Sequence, residues 1–150
     1  FAYYKKIAPT TRNRMAHTHR AEGYVYAQFI AGRDYLSPGL ARNSWLTGTA
    51  SWSYVAITQY ILGVRPTYDG LLVKPCMPSH WRNASIRRIF RDATYEITIH
   101  REPSWLSDAY AMRIDGDLIE GNVAPVFEDG NTHIVDVAIG RAQSDKRCNQ

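Results

Sequence analysis

The chain has 150 residues, 45% of them hydrophobic and 21% charged, which is room for one ordinary globular domain or pieces of two small ones. Its net charge of +4 is scattered in clumps at Arg12/Arg14, Arg87/Arg88/Arg91 and Arg141/Lys146/Arg147, with no nucleic-acid motif between them. A solvated surface is therefore expected rather than a nucleic-acid partner, and no apolar stretch is long enough for a membrane span.

The first residues, Phe1-Ala2-Tyr3-Tyr4-Lys5-Lys6-Ile7, read as the last turns of a helix that ends at Ala8-Pro9, because proline cannot continue it. With no initiator Met, the sequence enters in the middle of an element, and the chain is expected to be the C-terminal part of something longer. His17 and His19 fall in a polar stretch and are expected at the surface; two histidines alone make no metal site. Tyr24 to Ala31 predicts a short, mostly apolar helix closed by Gly32, with the Glu22 carboxylate at its positive end. Residues 33 to 46 form a loop carrying Pro38, Gly39 and Trp45.

Asn43-Ser44-Trp45-Leu46-Thr47-Gly48-Thr49-Ala50 is the most informative phrase. It runs into Ala50–Leu62, thirteen residues without a charge. Hydroxyl, glycine, hydroxyl and then a helix is the layout of an anion seat: the first helical turn has unpartnered N–H groups and the positive end of the dipole. The plainer reading is that Thr47 or Thr49 only caps the helix. The helix itself is apolar on nearly every face, so burial on all sides is expected, with Trp45 and Trp52 in a core and Gly63 ending it.

After residue 66 the period changes to two. Tyr95, Ile97 and Ile99 alternate with polar residues, and Tyr110, Met112 and Ile114 do the same. Val135, Val137 and Ile139 make a last strand face, and Leu71 to Val73 and Ile86 to Arg91 are further strands. Asp115-Gly116 and Asp129-Gly130 read as hairpin turns. Short strands with turn signals predict an antiparallel sandwich or jelly roll. Residues 141 to 150 read as a loose tail. Cys76 and Cys148 make no disulfide framework and fit a reducing compartment. Helices that cannot bury themselves on one small sandwich are expected to find their partners upstream of Phe1.

Tyr24 to Gly32 and Asn43 to Ala50 resemble the glycoside phosphorylases of glycoside hydrolase family 94, the cellobiose and chitobiose phosphorylases and their relatives. The likeness continues through Trp52 to Gly63, Tyr68-Asp69-Gly70-Leu71, Pro75-Cys76-Met77-Pro78, Trp81 and Phe90 to Tyr95, and so covers the chain to about Gly140. It implies an α+β fragment: residues 1–64 as the end of an (α/α)6 catalytic barrel and 65–140 as a C-terminal jelly-roll sandwich. The implied reaction is phosphorolysis with inversion, in which inorganic phosphate attacks the anomeric carbon of a β-linked disaccharide. A carboxylic acid protonates the leaving oxygen, and phosphate takes the place of the water of an inverting hydrolase.

By resemblance the Thr47 hydroxyl and the N–H groups of Gly48 and Thr49 belong to the phosphate seat. The family's general acid, phosphate-binding histidine and arginines have no counterpart in these residues, so no catalytic residue is expected in the chain and isolated phosphorolysis is not. No substrate-binding residue or metal ligand is assigned. No cofactor is implied, since phosphate is a substrate, and the resemblance implies a homodimeric parent; the cysteine usage leads to a cytoplasmic location, and no membrane or nucleic-acid partner is expected. Where the family has Glu-Pro-Tyr, this chain has Glu22-Gly23-Tyr24, which loosens that turn. Asn83-Ala84-Ser85 is a glycosylation sequon only for a secreted protein. Two other readings stand beside this one: a non-catalytic carbohydrate-binding β-sandwich, and a fragment of a β-1,2-glucan phosphorylase or cyclic glucan synthase.

Overall fold

A computed structural model describes residues 1–141; the expected tail lies almost wholly outside them. The chain divides into two units, Phe1–Ala56 and Ile57–Gln150.

In the first unit, α1 (Ala2–Ile7) ends where expected: Ala8 is extended, and its N–H closes the helix on the Tyr4 carbonyl. Two 3-10 turns, Pro9–Thr11 and Asn13–Met15, lead into the single turn α2 (Ala16–His19). His19 is buried there, against the expectation of a surface loop, and its Nδ1 lies 3.3 Å from the Gly39 carbonyl.

Tyr24–Ala31 is not a helix. Phe29–Ile30 (β1) pairs antiparallel with Ala41–Arg42 (β2). The Gln28 N–H donates to Arg42 O and the Ala31 N–H to Leu40 O. Val25 and Ala27 are buried while Tyr24 and Gln28 are exposed, a period of two that the run of apolar residues conceals. Val, Tyr, Phe and Ile suit extended backbone, and cross-strand pairing decides the matter.

The next helix forms as expected, but its start and end differ in kind. α3 (Thr49–Val55) is regular, and Ala56–Ile61 continues as a π-helical turn, with the Leu62 N–H donating to Ile57 O. Gly63 ends the run with φ of 73°; a Cβ there would collide with the Lys74 carbonyl. Burial on all sides is not found. Trp52, Tyr54 and Tyr60 are exposed, and the buried positions of the run are Ser53, Thr58 and Ile61.

The second unit is two sheets on one core. Strands β5 (Asn83–Phe90), β6 (Ala93–Arg101), β10 (Thr132–Ile139), β7 (Tyr110–Ile114) and β8 (Asp117–Ile119) form one sheet in that spatial order. β3 (Val64–Pro66), β4 (Leu71–Val73) and β9 (Val123–Ala124) form the other. Pairing is antiparallel except between β10 and β6, which run parallel, a departure from the all-antiparallel expectation. Tyr95, Ile97 and Ile99 of β6 meet Leu71 and Val73 of β4 and Val135 and Val137 of β10 in one apolar cluster. Each such side chain, fully withdrawn from water, contributes about 1.5–3 kcal/mol.

Asp115-Gly116 is a two-residue hairpin turn, with φ of 53° and 96°, joining β7 to β8. Asp129-Gly130 is not: it connects β9 to β10, which belong to different sheets. There the Asp129 carboxylate accepts the Asn131 N–H at 3.0 Å, so the turn chemistry is satisfied locally without a hairpin. The other tight hairpin, β5 to β6, turns on Arg91 and Asp92 at φ of 45° and 63°.

Candidate functional site

The loop from Asn43 to Gly48 is held in place by three contacts. Asn43 and Trp45 both adopt positive φ, 53° and 71°, uncommon for residues other than glycine. Asn43 Nδ2 donates to Gln28 Oε1 at 2.6 Å, tying the loop to the β1 side of the hairpin. Trp45 Nε1 donates to Glu22 Oε1 at 3.0 Å, and its ring meets Tyr24 edge-on at 6.1 Å. That indole bond, more than any other cause, holds the Glu22 carboxyl below its usual range. Glu22 is thus a loop anchor and not a helix-start carboxylate. Trp45 and Trp52, expected in a core, are exposed.

At the helix start the two threonines interact with each other. The Thr49 N–H donates to Thr47 Oγ1 at 3.0 Å, and the two hydroxyl oxygens are 2.7 Å apart. Gly48 is the N-cap, and no side chain caps the helix. The ordinary cap, in which a side-chain oxygen takes the second or third N–H of the helix, is therefore not formed. When the Thr49 hydroxyl donates to Thr47 Oγ1, that oxygen accepts twice and its own O–H is left to donate outward. The N–H groups of Ala50 and Ser51 fall in the first turn, where the helix offers no acceptor.

Gly48 has φ of −76°, and an added Cβ would make only ordinary contact with the Trp52 ring, 3.7 Å away. Neither backbone nor packing demands glycine at that position. Five residues on, Ser53 Oγ is buried without a hydrogen-bond partner among the described residues. The structure thus brings Thr47, Gly48 and Thr49 together at one helix start, with Thr49 N–H turned onto Thr47. Among the described residues no group of three His, Cys, Asp or Glu could hold a metal ion, and no helix is long and apolar enough to cross a membrane.

A second polar cluster, in the sandwich, was not signalled by spacing. His133 on β10 is buried, with Nδ1 2.7 Å from Asp115 Oδ2 and Nε2 3.2 Å from Asp129 Oδ2. Both ring nitrogens face carboxylates, so only the doubly protonated ring donates to both. The Asp115 bond chiefly raises the His133 pKa, and the His133 bond chiefly lowers that of Asp115. Asn131, through its backbone and then its side chain, does most to bring Asp129 down to about 2. The ring also stacks on Phe127 at 3.6 Å. The cluster ties the β7–β8 turn and the 125–131 segment to β10 and has the character of a clasp. Its three members lie 18 and 4 residues apart, and only the sheet register joins them.

Residues 1–63 match the glycosyl hydrolase 94 superfamily, catalytic domain. The chain is 36% identical over 133 residues to an N,N'-diacetylchitobiose phosphorylase of Vibrio proteolyticus, covering 89% of this chain and 17% of that protein. It is 36% identical over 137 residues to a solabiose phosphorylase of Paenibacillus borealis, covering 91% and 18%. A shorter likeness, 37% over 87 residues, links it to a cyclic beta-(1,2)-glucan synthase of Rhizobium meliloti, with 58% of this chain and 3% of that protein. The chain thus spans less than a fifth of the length of the relatives it matches.

Proposed function

The chain belongs to the glycosyl hydrolase 94 superfamily, and from that premise we propose that it carries part of the phosphate site of an inverting β-glycoside phosphorylase. Inorganic phosphate attacks the anomeric carbon of a β-linked disaccharide, and an acid supplied from outside these residues protonates the leaving oxygen. The products are an α-sugar 1-phosphate and a free sugar. The Thr47 O–H and the Gly48 N–H donate to phosphate oxygens, with Thr49 setting the orientation of the Thr47 hydroxyl. The observation that carries this reading is the uncapped helix start: Thr47 takes the Thr49 N–H instead of capping the next turn. Gly48 supports it, because a glycine that nothing among the described residues requires leaves the N–H face open to a ligand.

On the same reading residues 1–64 close an (α/α)6 barrel and 65–140 form a jelly-roll domain. A cytoplasmic location belongs to this reading as well. The exposure of Trp52, Tyr54 and Tyr60 supports a larger catalytic assembly, since these side chains pay for water contact that a barrel would remove. The chain alone is therefore expected to be inactive. Incubating it with disaccharide and phosphate and assaying sugar 1-phosphate tests this: no release is expected, and phosphate-dependent release would overturn the assignment of the acid elsewhere.

A further inference from the structure

From Phe1 to Ala21 the sequence holds Lys5, Lys6, Arg12, Arg14 and Arg20 and no acidic residue. The turns Pro9–Thr11, Asn13–Met15 and Ala16–His19 fold this stretch around a cavity of about 210 Å³. Its lining is Arg12, Asn13, Ala16, His19, Ala21 and Gly23, without a carboxylate. Arg12 Nε is withdrawn from solvent and has no hydrogen-bond partner among the described residues. A guanidinium nitrogen stripped of water and left unpaired is costly unless an acceptor arrives. His19 is buried, with Nδ1 toward the Gly39 carbonyl, so its other nitrogen is the one left for a ligand.

Gly23 completes the arrangement. A Cβ built on it would stand 2.6 Å from Asn13 Oδ1, so the Asn13 amide occupies the space that any larger residue would fill. Glycine at position 23 thus leaves room for the Asn13 amide at the cavity wall beside Arg12.

We propose that this cavity is a second oxyanion site, separate from the Thr47 loop, in which Arg12, Asn13 and His19 bind a phosphate group. The guanidinium and the amide donate to phosphate oxygens, as does the His19 ring once both its nitrogens are protonated, and the fork of Arg12 suits a planar pair of them. The phosphate is either free or esterified to a sugar; the chemistry at the wall is the same.

The 150-residue chain, titrated at constant ionic strength while the His19 ring protons are followed by NMR, tests this. Inorganic phosphate and glucose 1-phosphate form the two arms, and chloride the control. A saturable His19 shift is expected in at least one phosphate arm and none with chloride; the tighter arm identifies the free or the sugar-bound ligand. Arg12→Gln should weaken that binding by roughly tenfold or more, the loss of one charge-assisted hydrogen bond. Gly23→Ala displaces only the end of the flexible Asn13 side chain, so it should keep the fold and still weaken binding. No saturable shift in either arm, or binding unchanged in both variants, overturns the site. The readout is independent of phosphorolysis and so fails or stands apart from the function proposed above.

Discussion

The two units of the chain solve the burial problem differently. In the sandwich, Tyr95, Leu71, Ile97, Ile99, Met112, Val64, Val73, Val135 and Val137 are essentially fully withdrawn from water. In the first unit the buried apolar side chains are small or few, Ala8, Val25, Ala27, Ala31, Leu40 and Ala41, while Tyr24, Leu36, Trp45, Leu46, Trp52 and Tyr54 face solvent. The sandwich carries its own core. The helical unit presents a positioned loop on a frame whose largest apolar side chains are exposed, and the loop is where the proposed chemistry resides. A site can thus be locally ordered, by bonds such as Trp45 to Glu22, on a unit that hydrophobic burial does not complete.

Substitutions that separate the two units put this difference to the test. Ile97→Ala should cost about 2–5 kcal/mol in denaturant unfolding, the loss of a buried branched side chain plus the cavity it leaves. A cost below 1 kcal/mol, on the order of a surface change, would break the claim of a self-sufficient core. Gly63→Ala should cost about 1–3 kcal/mol or more, since positive φ and the Lys74 carbonyl both oppose a Cβ.

The clasp gives a pH signature confined to the sandwich. The Asp115 and Asp129 pKa values are lowered, so their contribution is present above the unfolded value near 3.8 and is lost as pH falls through the folded values, about 2 for Asp129. His133 is raised, so its contribution is full below 6.5 and is lost as pH rises through the folded value. The clasp is therefore strongest between about pH 4 and 6.5. Amide exchange at Ile134, whose N–H donates to Asp115 Oδ1, should quicken on both sides of that window, and His133→Gln should flatten the profile. The smallest effect is expected in the helical unit: Trp52→Ala should move the stability of the chain by no more than about 0.5 kcal/mol. A loss as large as that of Ile97→Ala would mean that Trp52 has a partner within the chain.

The same contrast explains what the sequence made legible. β6 could be read because Tyr95, Ile97 and Ile99 share one core face, and a half-buried strand repeats every second residue. Tyr24–Ala31 could not, because apolar residues occupy both faces there and the pairing of Phe29–Ile30 with Ala41–Arg42 selects the extended form. The Arg91-Asp92 turn carried no glycine to announce it. The Thr47-Gly48-Thr49 phrase was legible as a helix start, but the inward Thr49 N–H was not, since it depends on a hydroxyl orientation no pattern encodes. Trp45 and Trp52 were placed in a core by residue type alone, and their exposure shows that type does not name the partner.

The most direct measurement is steady-state kinetics with varied phosphate on a polypeptide that joins this chain to the residues supplying the acid, comparing Thr47→Ala with the unaltered form. Loss of a hydrogen bond to a charged ligand predicts a phosphate KM raised by roughly tenfold or more, with the KM for disaccharide little changed. Unchanged phosphate kinetics would remove Thr47 from the site and leave the loop a structural helix start.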